Sequence, residues 1–544
     1  MKKTTCLITA AACLAGGSAF AQNIINGHTV IDAALPEVSN PGTGIYQIDS
    51  DLTLPANSIL LGSTFVMPGV TLTVPAGAIV RGQPGVDDGN SETTTAAETP
   101  GSLVVTRGGT IIANGTSTNP IIFTTAADDT RDRIVDGETF LDANPKTIPL
   151  PAFSGSDANE SLWGAVTLLG YAPTNRDGSD TTVFGEAFVE GFANQDARTT
   201  YGGLMPNDSS GELTYVSIRH SGRTIVEGDE QQGLTLGGVG AGTLLENIDI
   251  YCTGDDGIEI FGGTANIRNI MISYVNDDGL DLDQGWTGNA QNVFILCGNI
   301  PGQPATTRSN GFFEFDGEDG SNLSPTGTPF TAPTIMNVTA FAGTVGAGDD
   351  PVVTIDTNFG GNIFNSIFYN IPGGQQGFFI VDSGENRETT YGVSGTLDRL
   401  EDGTFNIASC SFVGVAGTTG DDNVTTGAFN TVAADVIAGA VNANYPGCTN
   451  NTFATGNPFF FGATNGSVFN DQLSANGVNP VPLNGASDSN VTNVAEVGPY
   501  FEAVSQRGAF EQSGSAVLWT TGWTAMNIRG ILVDAGNAAN VVAP

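Results

Sequence analysis

Asp255-Asp256-Gly257-Ile258-Glu259-Ile260 and Asp277-Asp278-Gly279-Leu280-Asp281-Leu282 are two copies of one pattern, and Gln231-Gln232-Gly233-Leu234-Thr235-Leu236 is a third. Their glycines fall at intervals of 24 and 22 residues. A second set keeps the same phase: Glu246-Asn247-Ile248-Asp249-Ile250, Arg268-Asn269-Ile270-Met271-Ile272 and Gln291-Asn292-Val293-Phe294-Ile295. An interval of about 22 residues holds three short strands and three turns, one rung of a parallel β-helix. Equivalent residues then stack at the strand spacing of about 4.8 Å. Alternation along each strand sends Ile258, Ile260, Leu280 and Leu282 inward and sets Glu259 above Asp281 on the outside. The expected fold is all-β: a right-handed parallel β-helix, a single-stranded solenoid with long loop insertions and a capping C-terminal segment.

The pattern extends both ways. Upstream, Gly69 to Val80, Gly101 to Gly115 and Pro120 to Thr124 are short alternating runs broken by glycine turns, with no helical period between them. Downstream, Ser309-Asn310-Gly311 precedes Phe312, Phe313 and Phe315, and strand-like runs recur at 335–341, 362–368 and 405–412. Insertions are expected at 126–160, 172–210, 299–308, 317–333, 371–403 and 414–457; solenoid loops often gather on one face and carry binding. The repeat region therefore spans 22–457. Residues 458–544 read as terminal rungs and a cap, with Trp519-Thr520-Thr521-Gly522-Trp523 closing the open end.

The first residues read as a secretory signal over 1–21: Lys2 and Lys3, an apolar run from Cys6 to Ala12, then Ala19-Phe20-Ala21 before Gln22. Ala10-Ala11-Ala12-Cys13 lacks the leucine of a lipoprotein box. No later apolar run is long enough to cross a bilayer. Periplasm, outer-membrane surface and extracellular space are the locations this implies. Net charge is −40, from 57 acidic and 17 basic residues. That self-repulsion disfavours nucleic acid and anionic membranes and favours cations as partners. Cys252, Cys297, Cys410 and Cys448 allow three disulfide pairings in an oxidising compartment. A rung separates Cys252 from Cys297, too far for an unstrained bond.

Asp255, Asp256, Asp277 and Asp278 place four carboxylates on adjacent rungs, with Glu259, Asp281 and Asp283 close by. Three readings are open. Asp-Gly is a favoured turn dipeptide whose side chain bonds local backbone. Oxygen-rich clusters also suit Ca2+, which takes six to eight oxygen ligands, and Asp255, Asp256, Asp277, Asp278 and Asp283 would supply them. The same four aspartates could instead be catalytic. Glu259, Asp281 and Trp286 are the candidate ligand-binding residues; an exposed Trp286 indole beside the ladder would stack on a sugar ring, and packing against a neighbouring loop is the other reading of it. Phe312, Phe313, Phe315, Phe364 and Phe368 read as core stacks, with a sugar platform as the alternative.

Gly115-Thr116, Pro120 to Thr124, Leu162 to Asn175, Tyr201-Gly202-Gly203, Gly237 to Thr243, Asp255 to Thr264, Gly508-Ala509-Phe510 and the Trp519 to Trp523 string together resemble a group of bacterial envelope and secreted β-helix proteins that includes leptospiral outer-membrane lipoproteins. The resemblance implies the pectate-lyase-like superfold and export, and no established reaction. Thr253 to Ile260 is also similar to the Asp-Asp motif of polygalacturonases, whose paired carboxylates serve as acid and as activator of water. The accompanying Gly-His-Gly and Arg-Ile-Lys strings are missing, and the histidines are His28 and His220. Arg219 and Arg223 flank His220; Arg219 reads as neutralising a nearby carboxylate rather than as a lyase base.

The leading expectation is an exported, non-catalytic cell-envelope or secreted β-helix that binds an extracellular polysaccharide or surface protein, with Ca2+ stabilising its acidic turns. The alternatives are a polysaccharide hydrolase or lyase using the Asp pairs, and a purely structural surface scaffold.

Overall fold

The computed structural model describes residues 22–25, 27–84, 99–126, 128, 139–141, 147–149, 160–178, 181–192, 196–223, 230–298, 311–318, 328–342, 351–371, 377–381, 395–413, 431–437, 444–454, 480–481, 491–493, 497–511, 517–528 and 532. The expected signal segment 1–21 lies outside them, as does most of the insertions at 126–160, 299–308, 317–333, 371–403 and 414–457.

Among the described residues the strands form an eleven-stranded and an eighteen-stranded sheet, both dominated by parallel pairing between successive rungs. This is the expected all-β parallel β-helix. The quoted repeats stack in register: Leu234 on Ile258 on Leu280, and Thr235 on Glu259 on Asp281. Leu234, Leu236, Ile258, Ile260, Leu280 and Leu282 are fully buried in the central core. Two-residue alternation thus survives intact through these rungs.

The glycines of the repeat are there for space. A Cβ on Gly257 would lie 2.4 Å from Ile272 Cγ2 and 2.5 Å from the Gly279 carbonyl oxygen. One on Gly233 would meet Gly257 O at 2.4 Å. Only hydrogen fits between the rungs, so Asp-Gly marks a close backbone approach more than a turn conformation.

The larger sheet covers two faces because its long strands bend at a left-handed residue. Asn247, Asn269, Asn292 and Asn337 have φ of 57°, 55°, 59° and 61° and sit in the middle of the strands Leu244–Tyr251, Asn266–Ser273, Asn289–Cys297 and Thr334–Ala342. Asparagine tolerates this conformation better than most side chains. The asparagines also bond each other across rungs: Asn269 Nδ2 donates to Asn247 Oδ1 at 3.2 Å, and Asn292 Nδ2 to Asn269 Oδ1 at 2.9 Å.

Two expectations need correction. The Trp519 to Trp523 string does not close an end of the solenoid. Trp523 packs edge-on against Tyr215, and Ala525 N donates to the buried Asp249 carboxylate at 2.9 Å, both on the side of the coil. The cause is the outward set of the larger sheet. Tyr251, Met271, Phe294, Leu296 and Phe341 form an apolar strip that Phe510, Leu518 and Met526 cover. Phe364 likewise leaves the core: it alternates outward beside Ile363 and packs with Val497, Tyr500 and Phe501. Phe312, Phe313, Phe315 and Phe368 are core stacks at 0% exposure, closed to any sugar. Cys252, Cys297, Cys410 and Cys448 are buried thiols.

Candidate functional site: an acidic ladder on the smaller sheet

The outward residues of the eleven-stranded sheet form columns. One runs Thr167, Thr235, Glu259, Asp281, Glu314, Thr354. The adjacent one carries Asp283 beside Phe261, and further on Asp316 beside Asp356. Phe313 pairs with Leu280, which sets Glu314 on Asp281. Glu314, Asp316 and Asp356 therefore prolong the ladder beyond the expected residues. Their signal was present in Gly311-Phe312-Phe313-Glu314-Phe315-Asp316, but the long insertion before it broke the 22-residue interval.

The insertion at 172–210 ends where the ladder begins. Its ribbon, Glu186–Phe188 paired antiparallel with Thr200–Gly202, lies on the outer face of the sheet. Ala187, Val189 and Tyr201 cover Phe65, Val104 and Leu169 there. Arg107 pins the ribbon to its rung with a 2.8 Å ion pair to Glu186. Glu190 then reaches the ladder: Gln232 Nε2 donates to Glu190 Oε1 at 2.8 Å and to Glu259 Oε2 at 2.7 Å. Nothing in the sequence marked Glu190, whose loop has no period to align. Exposure grows along the column, from buried Glu259 through half-buried Asp281 to exposed Glu314.

Carboxylate oxygens converge in two trios. One oxygen each from Asp255, Asp256 and Asp277 lie within 4.8 Å of one another, and so do oxygens from Asp256, Glu259 and Asp281. Asp256 belongs to both. Its Oδ1 also accepts from the Asp278 amide at 2.8 Å, one rung on, while its own amide donates to Gln232 Oε1 at 3.3 Å. The Asp256 side chain thus bonds to the next rung. Of the expected metal set, Asp278 and Asp283 stand outside both trios, while Glu259 and Asp281 join one.

Crowded carboxylates out of water hold their protons. Burial, then the charges of Asp277, Glu230 and Glu190, push Asp255 up to about 8. Burial and Asp316 push Asp283 to about 7, and burial pushes Asp316 to about 6. Asp256, Glu259 and Asp281 are raised well above the usual range, by burial first and by Asp281, Glu190 and Glu314 respectively next. A carboxyl whose pKa is higher folded than unfolded favours the fold when protonated and loses that contribution as pH rises through the folded value. In chelator, thermal stability is therefore expected to fall as pH is raised from about 4 to about 8. Calorimetry across that range checks it; a melting temperature that rises over the interval contradicts the crowding.

Trp286 does not belong to this surface. It is fully buried in the central core and its Nε1 donates to Ala265 O at 2.9 Å. An indole in that position cannot stack on a ligand, so the ligand-binding expectation for it is withdrawn. The loop around it turns the ring inward because Gly288 leaves room: a Cβ there would be 2.5 Å from Trp286 Nε1. Arg219 and His220 lie on the other sheet. Arg219 Nε donates to Ser217 Oγ, which donates to Asp249, and His220 stands 4.0 Å from Asp128. The charge acting on Asp283 from the cationic side is Arg176, from the same insertion as Glu190.

A family model described as a pectate-lyase-like β-helix domain matches residues 46–137 and 148–456. No curated protein and no solved structure gives a significant match to the chain.

Proposed function

The chain belongs to the pectate-lyase-like β-helix family, and on that premise we propose that it is an exported, non-catalytic protein that binds glycans or other extracellular ligands, with Ca2+ neutralising its acidic ladder. One observation carries the cation: two trios of carboxylate oxygens, each within 4.8 Å, share Asp256. Calcium accepts such oxygens and completes its shell with backbone carbonyls and water. A bound divalent ion removes the repulsion that otherwise holds these groups protonated. The ligand reading rests on the insertion that walls one end of the ladder and on the family's likeness to pectate lyases. Export rests on the 1–21 signal pattern.

Calorimetry at pH 8 with Ca2+ and with EDTA tests the cation. A melting temperature several degrees higher in Ca2+ is expected, together with stoichiometric metal by elemental analysis; identical curves and no bound metal reject it. A glycan array read for retention without turnover tests the ligand, and absence of retention on neutral and uronate glycans rejects it. A second reading has its own support. An Asp255 carboxyl raised to about 8 is protonated at neutral pH, as a general acid for glycoside cleavage must be. Reducing-end release from the retained glycans, lost in Asp255→Asn, would replace binding by hydrolysis.

A further inference from the structure

The described parts of 492–532 wander over the flank of the larger sheet, from the rung of Tyr215 to that of Thr452. The apolar strip accounts for part of this contact. The polar part has a particular form. Gln291 Oε1 accepts from the Glu502 amide at 2.8 Å, and Gln291 Nε2 donates to Glu502 O at 2.9 Å. Asn365 Oδ1 accepts from the Thr492 amide at 2.7 Å, and Asn365 Nδ2 donates to Thr492 O at 3.1 Å. Asn337 Nδ2 donates to the carbonyls of Gln506 and Gly508. Arg268 donates to Tyr500 O. Side-chain amides present a carbonyl oxygen beside one of two N–H donors, a pair that matches the N–H and C=O of a single extended residue, as at Glu502 and Thr492. Here three of them on successive rungs meet main-chain groups of the segment as a neighbouring strand would.

Two side chains of the segment add specificity. The buried Arg507 guanidinium donates to Cys410 O at 2.6 Å, Asn450 O at 2.9 Å, Thr452 Oγ1 at 3.0 Å and Ser411 Oγ at 3.1 Å. Trp523, fully buried, meets Tyr215 with ring centroids 5.4 Å apart. The rungs beneath are hydrogen-bonded to one another without the segment. We propose that this flank is a polypeptide-binding groove that reads main chain, and that the described parts of 492–532 are its resident ligand, displaceable as a unit while the rungs stay folded.

The test keeps the groove intact and weakens only the occupant, in the full chain carrying Arg507→Ala and Trp523→Ala. Hydrogen exchange is expected to be at least about tenfold faster at the Thr492, Glu502 and Ala525 amides than in the unsubstituted chain, with Ile270 and Ile295 unchanged. A fluorescent synthetic peptide of residues 490–532 is expected to bind the substituted chain at least about tenfold more tightly than the unsubstituted one, whose groove is filled. Equal exposure of segment and rung amides in the substituted chain would overturn the proposal, because the segment would then be part of the folding unit. So would a folded substituted chain whose opened flank fails to take the peptide.

Discussion

Trp286→Ala is expected to destabilise the protein by about 3–5 kcal/mol, the range for emptying a large aromatic from a core. The indole is fully buried, packs within the main hydrophobic cluster and donates to the Ala265 carbonyl. Truncation removes its transfer free energy, leaves a cavity and takes the donor from a buried oxygen. Trp286→Phe keeps most of the volume and loses the hydrogen bond, so about 1–2 kcal/mol is expected for it. Denaturant unfolding followed by circular dichroism measures both. If Trp286→Ala unfolds at the unsubstituted midpoint yet loses glycan retention, the ring is a surface platform and the burial described above is wrong. The substitution thus separates a core tryptophan from a binding one, which composition and loop position could not.

That distinction shows where the sequence was legible. The repeat Gly-Ile-x-Ile at 257–260 and Gly-Leu-x-Leu at 279–282 encodes rung length, strand alternation and inward faces at once, and the four inward residues Ile258, Ile260, Leu280 and Leu282 are all buried as expected. Periodicity constrains a residue only through its neighbours one rung away. Trp286 lies between strands, where no rung partner constrains it, and its burial depends on the space left at Gly288. Glu190 lies in an insertion and meets Glu259 only after the ribbon has folded over Leu169 and Val104. The asparagine bends were visible as Asn247, Asn269 and Asn292 in aligned positions. In sequence they are indistinguishable from ordinary strand residues, because a left-handed residue in mid-strand leaves the alternation on either side unbroken. The flank was legible too, in part. Tyr251, Phe294, Leu296 and Phe341 are large apolar residues at outward positions, a sign that something covers them, and the C-terminal segment does.

Asp256→Asn is the substitution expected to change the response to calcium most, because Asp256 alone stands in both oxygen trios. The amide keeps an oxygen to accept the Asp278 N–H, so the inter-rung bond at 2.8 Å survives and the backbone has no reason to move. Two opposite effects follow. In EDTA at pH 8 the substituted chain should be the more stable one, since asparagine removes a buried carboxyl that must either take up a proton or hold a charge beside Asp281, Asp255 and Asp277. The fall in melting temperature between about pH 4 and 8 should flatten for the same reason. In Ca2+ the order should reverse. A site saturated at a hundred times its Kd stabilises the fold by about 2.7 kcal/mol, and a site stripped of a shared ligand forfeits much of that. Turn residues without a cation predict otherwise: Asp256→Asn would leave both curves close together and insensitive to Ca2+, because the inter-rung hydrogen bond is all the side chain would supply. A catalytic aspartate predicts a third outcome, unchanged stability in either buffer with loss of turnover. Melting curves in the two buffers, measured with glycan cleavage on the same protein, therefore assign the ladder to one of three roles that the string Asp255-Asp256-Gly257 by itself leaves open.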